Sequence, residues 1–182
     1  GVVDISDASL RLLLDDSPCP VVLTCRSARE GGRCQASDAE RAALLCKCDL
    51  VSEMVGEFPA LQGIMGGIYA RMSGESEAVA RGIAEHYLPK GAQKEKAGEV
   101  PQTPEGVVVS LADKIDNIAG SFGLGLVPTG TADPYALRRQ ALAIITLCWA
   151  KGLRLDLREA FGEALRLLSG KLKADPQEVQ AS

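Results

Sequence analysis

From Ser37 to about Leu168 apolar residues recur at intervals of three and four, the spacing that gathers them on one face of an α-helix. Ser37 and Glu40 have capping-box spacing, in which a hydroxyl and a carboxylate each satisfy an amide left free at a helix start. Leu44, Cys48, Val51 and Val55 extend that helix as one buried stripe, and Phe58-Pro59 breaks it because proline has no amide donor. A second helix runs to about Met72 and ends at Ser73-Gly74, and a third covers about residues 75–87. Residues 89–102 combine prolines, glycines and lysines with almost no large apolar side chain, which predicts an exposed connection that proteases cut first.

Thr103-Pro104-Glu105 then supplies an N-cap hydroxyl, a proline at the first helical position and an acid near the positive end of the dipole. Val108, Leu111, Ala112, Ile115 and Ile118 are the predicted core face of that helix. Residues 120–130 are apolar but glycine-rich and predict an irregular turn. Asp133-Pro134 repeats the cap-then-proline signal, and the helix after it is expected to bury Leu137, Ala141, Ile144, Ile145 and Cys148 before Gly152 closes it. A last helix starts at Asp156 with Leu157, Phe161, Leu165 and Leu168 on one side, and residues 173–182 form a frayed tail.

Residues 1–36 read differently, as an appendage to a helical domain covering residues 37–172. Their convincing strand is residues 21–25, β-branched and set between Pro20 and Gly31-Gly32, with a short helix expected at residues 9–15. One strand cannot leave its backbone groups unmatched, so it pairs with another chain, closes a local hairpin or stays poorly ordered. The fold class is therefore mainly α, with five or six helices and an appendage containing one β-strand.

Composition narrows the chemistry. Hydrophobic residues are 46% of the 182 and aromatic residues only 4%, so the core is aliphatic. A net charge of −4 argues against a broad nucleic-acid-binding surface, though not against a local basic patch. Six cysteines show neither a CxxC pair nor zinc spacing, and read as free, mostly buried thiols of a reducing cytosol. No signal-peptide pattern and no stretch of membrane-spanning length is present, which points to a cytoplasmic protein.

Asp49, Glu53 and Glu57, four apart, would line one helix face, and Asp113 and Asp116 share another; carboxylates on facing helices can hold a divalent cation, or simply face solvent. The lone His86 suits the negative end of a helix as well as it suits acid-base catalysis. Gly63, Gly66 and Gly67 allow a neighbouring helix close approach, and with no strand before them they do not form a phosphate loop. Arg138 and Arg139 stand in a first helical turn where the dipole opposes them, so a phosphate backbone or an acidic neighbour such as Asp133 is expected beside them.

Four blocks, CKCDLVSEMVGEFPALQGIMGGIYARM, EHYLPKG, VVVSLADKIDNIAGSFGLGLVPTG and DPYALRRQALAIITLCWAKGLRLDLREAF, resemble in wording and order the middle of the bacterial glycyl-tRNA synthetase β subunit. That region is similar to an HD domain, and Ala112-Asp113-Lys114 resembles the last metal-binding aspartate of HD phosphohydrolases. The His-Asp doublet and second histidine of those enzymes have no match, since Tyr87 follows His86, so an HD-like fold without metal or catalytic residues is expected. The resemblance implies a structural part of glycine–tRNA ligase, with Arg138 and Arg139 as candidates for tRNA contact. It implies as partners tRNA(Gly), the remaining β-subunit domains and an α subunit that uses ATP and Mg, with no cofactor held by this chain. PCPVVLTCRSAREGGR resembles instead an early strand of type I 3-dehydroquinate dehydratase, with Arg26 and Glu30 at substrate-anchoring positions. A dehydratase remnant and a stand-alone helical interaction module are the competing readings.

Overall fold

In the computed structural model, the structure describes residues 3–4, 10–12, 21–23, 34–90, 99–126, 128, 133 and 135–168. The described chain is mainly helical. Its elements in order are β1 (Val3–Asp4), β2 (Leu10–Leu12), β3 (Val21–Leu23), α1 (Ala36–Leu45), α2 (Glu53–Glu57), α3 (Ile64–Met72), α4 (Glu77–Glu85), α5 (Pro104–Gly123), α6 (Leu137–Lys151), β4 (Leu153–Arg154) and α7 (Leu157–Leu168). Single 3-10 turns at Cys48–Val51 and Pro59–Leu61 flank α2.

α5 is the axis of the fold. Twelve of its 20 residues are buried, on every side of its first three turns, because α1, α4, α6 and α7 all pack against it. Val108, Leu111, Ala112 and Ile115 lie inside as expected, joined by Val107 and Val109, while Ile118 is half-buried. Thr103 caps the helix, its hydroxyl accepting from the Gly106 amide at 3.1 Å. The same hydroxyl donates to Glu85 at the end of α4, and that carboxylate also accepts the Gln102 and Thr103 amides, each at 2.8 Å. One acid thus ties the end of α4 to the start of α5. Although burial opposes ionisation, these bonds hold the Glu85 carboxyl below its ordinary range. Pro101 is buried, so the end of the 89–102 connection is tied down; residues 91–98 lie outside the described part.

Several expectations are corrected. The Ser37–Glu40 capping box does not form, since α1 begins at Ala36 and Gln35 precedes it with no side-chain cap. The Gln35 amide instead donates to the buried Glu105, which draws the helix start toward α5. The helix also does not continue to Val55: it stops at Leu45, and the chain turns through Cys48–Val51 into α2, capped by the Ser52 hydroxyl on the Val55 amide. The predicted stripe is lost with it. Val51 is 92% exposed, Cys48 is exposed, and α1 buries Ala39, Ala42 and Ala43 instead. Ile145 and Ala141 of α6 face out, and Ala143 and Leu147 face in. On α7 the inward residues are Ala160 and Ala164, with Leu157 and Leu165 exposed. On α1 and α7 small residues occupy the tight side, which a pattern of large apolar residues does not reveal, whereas α6 buries Leu137 and Ile144 as expected.

The expected helix over residues 9–15 is not seen at Leu10–Leu12, which form a strand antiparallel to β3, with Leu10 opposite Leu23 and Leu12 opposite Val21. Of the alternatives for the strand over residues 21–25, the local hairpin is found. β1 pairs in parallel with β4, Val3 opposite Leu153, so backbone pairing joins the appendage to the end of α6. The tail beyond residue 168 lies outside the described residues.

α3 and α4 approach closely through the predicted glycines. A Cβ on Gly67 would meet the Ala80 carbonyl at 2.8 Å and the Ala84 methyl at 2.9 Å, whereas one on Gly162 of α7 would meet nothing within 4 Å. Gly67→Ala is expected to destabilise the chain by about 1–3 kcal/mol, through forced separation of the helices. Gly162→Ala is expected to stabilise it by about 0.5–1 kcal/mol, through higher helix propensity at an exposed position. Urea unfolding of both variants measures the two effects.

Candidate functional site

The turn after α1, the end of α4 and the middle of α5 bring four ionisable side chains to one place. Lys47 follows α1, and its ammonium donates to Asp113 Oδ1 at 3.0 Å and to His86 Nε2 at 2.9 Å. It also stands 4.0 Å above the centre of the Tyr87 ring. On α5, Lys114 turns the other way: its ammonium donates to the His86 and Leu88 carbonyls and to the Ser110 hydroxyl, the last at 2.8 Å. His86 is wholly buried, and Asp113 and Lys114 are nearly so.

The hydrogen bonds fix the imidazole tautomer. An ammonium can only donate, so Nε2 accepts and carries no proton; Nδ1 carries it and donates to the Ile83 carbonyl at 2.6 Å. Burial first, and the Lys47 charge second, push the His86 pKa down to about 4, against a weaker opposing pull from Asp113. Burial likewise lowers Lys114 to about 8, aided by Lys47 and opposed by Asp113. Burial would lower Lys47 too, but Asp113 and then Tyr87 outweigh it, so its ammonium is held more firmly than usual. His86 is therefore a neutral acceptor inside the protein, placed for structure rather than for proton exchange with solvent.

The carboxylates considered for a cation are separated. Asp49 is buried, and its Oδ2 accepts the Gly63 and Gly66 amides at 2.7 and 3.0 Å, holding the start of α3. Glu53 and Glu57 are exposed on α2, so the three do not share a helix face. Asp113 is engaged by Lys47, and the Asn117 amide reaches its Oδ1 at 3.3 Å. No group of three or more metal-ligating side chains occurs among the described residues. The space between Asp113 and His86 holds an ammonium. Lys47 and Lys114 are not singled out from sequence, although Lys47 follows the apolar run of residues 42–46, which is the signal that marks a cation with buried partners.

Arg138 and Arg139 stand in the first turn of α6, both exposed. Asp133 caps that turn through its carboxylate, which accepts the Leu137 and Arg138 amides at 2.7 and 3.1 Å; it bonds the backbone and not the guanidinium groups. Arg139 faces a cavity of about 340 Å³ that is also lined by Lys47, Lys114, Asp113 and Lys90. Arg26 and Glu30 lie outside the described residues. Of the thiols, Cys46 is buried and its pKa is pushed up to about 12, chiefly by burial, which makes it inert; Cys48 is exposed.

A family model described as glycyl-tRNA synthetase beta subunit matches residues 22–181. The chain belongs to the glycyl-tRNA synthetase β-subunit family. It is 57% identical over 141 residues to the glycine–tRNA ligase β subunit of Geobacter sulfurreducens, covering 78% of this chain and 20% of that protein. It is 56% identical over 140 residues to the β subunit of Nitratidesulfovibrio vulgaris, covering 77% and 19%, and 51% identical over 145 residues to that of Myxococcus xanthus, covering 79% and 20%. The chain spans about a fifth of the length of these β subunits. The family match takes in Arg26 and Glu30, and the dehydratase reading of those residues finds no support.

The sole histidine gives one set of imidazole NMR signals, so its ionisation can be followed directly. Its titration is expected near pH 4, and Lys47→Met is expected to move the midpoint upward, because a positive neighbour is lost and Asp113 is freed. A folded pKa below the unfolded value of 6.5 means that the unfolded chain binds the extra proton between the two. Stability is thus full above about pH 6.5 and falls by on the order of 3 kcal/mol as pH drops toward 4. Urea unfolding across that range measures the loss.

Proposed function

We propose that this chain is a structural module of glycine–tRNA ligase: it packs against other parts of the β subunit and helps to position tRNA(Gly) for ATP-dependent attachment of glycine. In this reading it works in the cytosol and has no active site of its own. ATP and Mg are used by the α subunit, with which the assembled β subunit associates. The observation that carries the reading is the apolar surface left bare on two faces. Ile64, Ile68 and Met72 form a stripe at helical spacing along α3, exposed by 46%, 39% and 80%, and Phe58 and Val51 are exposed as well. Leu142, Ile145 and Trp149 form another on α6, exposed by 49%, 58% and 88%. Apolar patches of this kind are the signature of surfaces that are covered in an assembly. Among the described residues no helix is long and apolar enough to cross a membrane, so a bilayer-spanning role is not what these residues serve.

In this reading the cover is the rest of a β subunit, which the reading takes from the family and from the chain's spanning about a fifth of the β subunits it matches. The exposed arginines at the start of α6 fit the tRNA part of the reading, since Asp133 leaves both guanidinium groups available.

Co-expression of this chain with the complementary segments of a β subunit and with an α subunit tests the proposal. Co-purification of all components is the expected result. Trp149→Ser with Met72→Ser is expected to weaken capture at least tenfold without lowering the unfolding midpoint of the isolated chain, because these side chains are 88% and 80% exposed. Capture of neither subunit would leave the stand-alone interaction module as the better reading.

A further inference from the structure

The cavity beside Asp113 has a charge opposite to that of the whole molecule. Four cations, Lys47, Lys90, Lys114 and Arg139, line its roughly 340 Å³ against the single carboxylate of Asp113, a local excess of three positive charges in a chain whose net charge is −4. A cleft lined by one sign of charge concentrates ligands of the other sign. The four are not equivalent. Lys47 and Lys114 are held in place by Asp113, His86, Leu88 and Ser110, and form a fixed positive floor. Lys90 and Arg139 are exposed at the rim, and no carboxylate among the described residues pairs with either.

Arg139 lies in the first turn of α6, where the Asp133 carboxylate caps the Leu137 and Arg138 amides but makes no ion pair with the guanidinium. An anion at the rim would meet Arg139 and Lys90 together. Beyond the rim the wall carries Asn117 and Gln62, neutral amides that can each donate and accept, and the cavity has the volume of a small ligand.

We propose that this cavity binds one nucleotide unit, its phosphate on Arg139 and Lys90 and its base toward Asn117 and Gln62. The source of that unit is either a free mononucleotide or one residue of single-stranded RNA; the second rests on the tRNA-positioning reading above, and the first does not.

The test is titration of the 15N-labelled 182-residue chain with AMP in one arm and a single-stranded RNA tetranucleotide in the other. Shifts confined to Tyr87, Lys90, Asn117 and Arg139 are expected in at least one arm. AMP alone sufficing identifies a mononucleotide site, and RNA without AMP identifies a strand-reading site. Arg139→Gln and Lys90→Gln are each expected to weaken binding about tenfold and to flatten its salt dependence, by roughly 0.7 in slope for the RNA. Arg158→Gln, on the exposed surface of α7, is expected to change neither. The proposal is overturned if millimolar AMP and RNA both leave the cavity signals unmoved, if the shifts map to another surface, or if the Arg139 and Lys90 variants bind as tightly as Arg158→Gln. Normal capture of the partner segments alongside such a failure would strike out this site and leave the assembly reading standing.

Discussion

Burying the first three turns of α5 on all sides is the constraint from which the rest of the structure follows. A helix in contact with solvent can turn its polar residues outward, but these turns are surrounded by α1, α4, α6 and α7, so the polar residues they carry must be satisfied within the protein. Asp113 and Lys114 are adjacent in sequence and project about 100° apart around that helix, which sends the two charges toward different neighbours. Asp113 meets Lys47 from the turn after α1; Lys114 meets the carbonyls that close α4. The polar residues therefore fix how the helices are arranged, while the aliphatic side chains supply most of the driving force for burial.

A second consequence concerns charge balance. Two lysines and one aspartate share a largely desolvated space, and such an arrangement persists only if the ammonium groups find additional acceptors. The neutral imidazole of His86 and the carbonyls of residues 86 and 88 are those acceptors. His86 is thereby committed at both nitrogens, which explains why a histidine in the centre of the domain has no free edge for chemistry. The ammonium of Lys47, lying between a carboxylate and an imidazole, takes the space in which those same two groups could otherwise face a metal ion.

Much of the fold was legible in the sequence. Thr103 caps α5 as expected, because that cap depends on a residue and its next three amides alone, and α7 begins directly after Asp156; Asp133 instead reaches the Leu137 and Arg138 amides, four and five residues on, since α6 starts only at Leu137, after Ala136. The i, i+3, i+4 spacing of Gly63, Gly66 and Gly67 foretold the close α3–α4 contact for a similarly local reason. What was not legible depended on distant partners. The early end of α1 serves Asp49, which turns inward to hold Gly63 and Gly66, fourteen and seventeen residues away. The apolar stripes misassigned on α1, α6 and α7 were read as core because large apolar residues usually are. Here Val51, Ile145 and Leu157 face outward, and alanines take the inner positions on α1 and α7, while α6 keeps Leu137 and Ile144 inside. For the cavity, sequence reasoning points to Arg138 and Arg139 through their conflict with the helix dipole, of which only Arg139 lines it, and not to the lysines, since only the fold brings residues 47, 90, 114 and 139 together.

The domain thus combines a largely buried polar centre, reached from one cavity, with an apolar exterior in two places. Its rigidity is centred on the Lys47–Asp113 pair, and a double-mutant cycle on that pair tests the account most directly. Unfolding free energies of Lys47→Met, Asp113→Asn and the double variant are expected to show a coupling of about 1–3 kcal/mol, the double variant being less destabilised than the sum of the two single ones. Strict additivity, within about 0.3 kcal/mol, would contradict it.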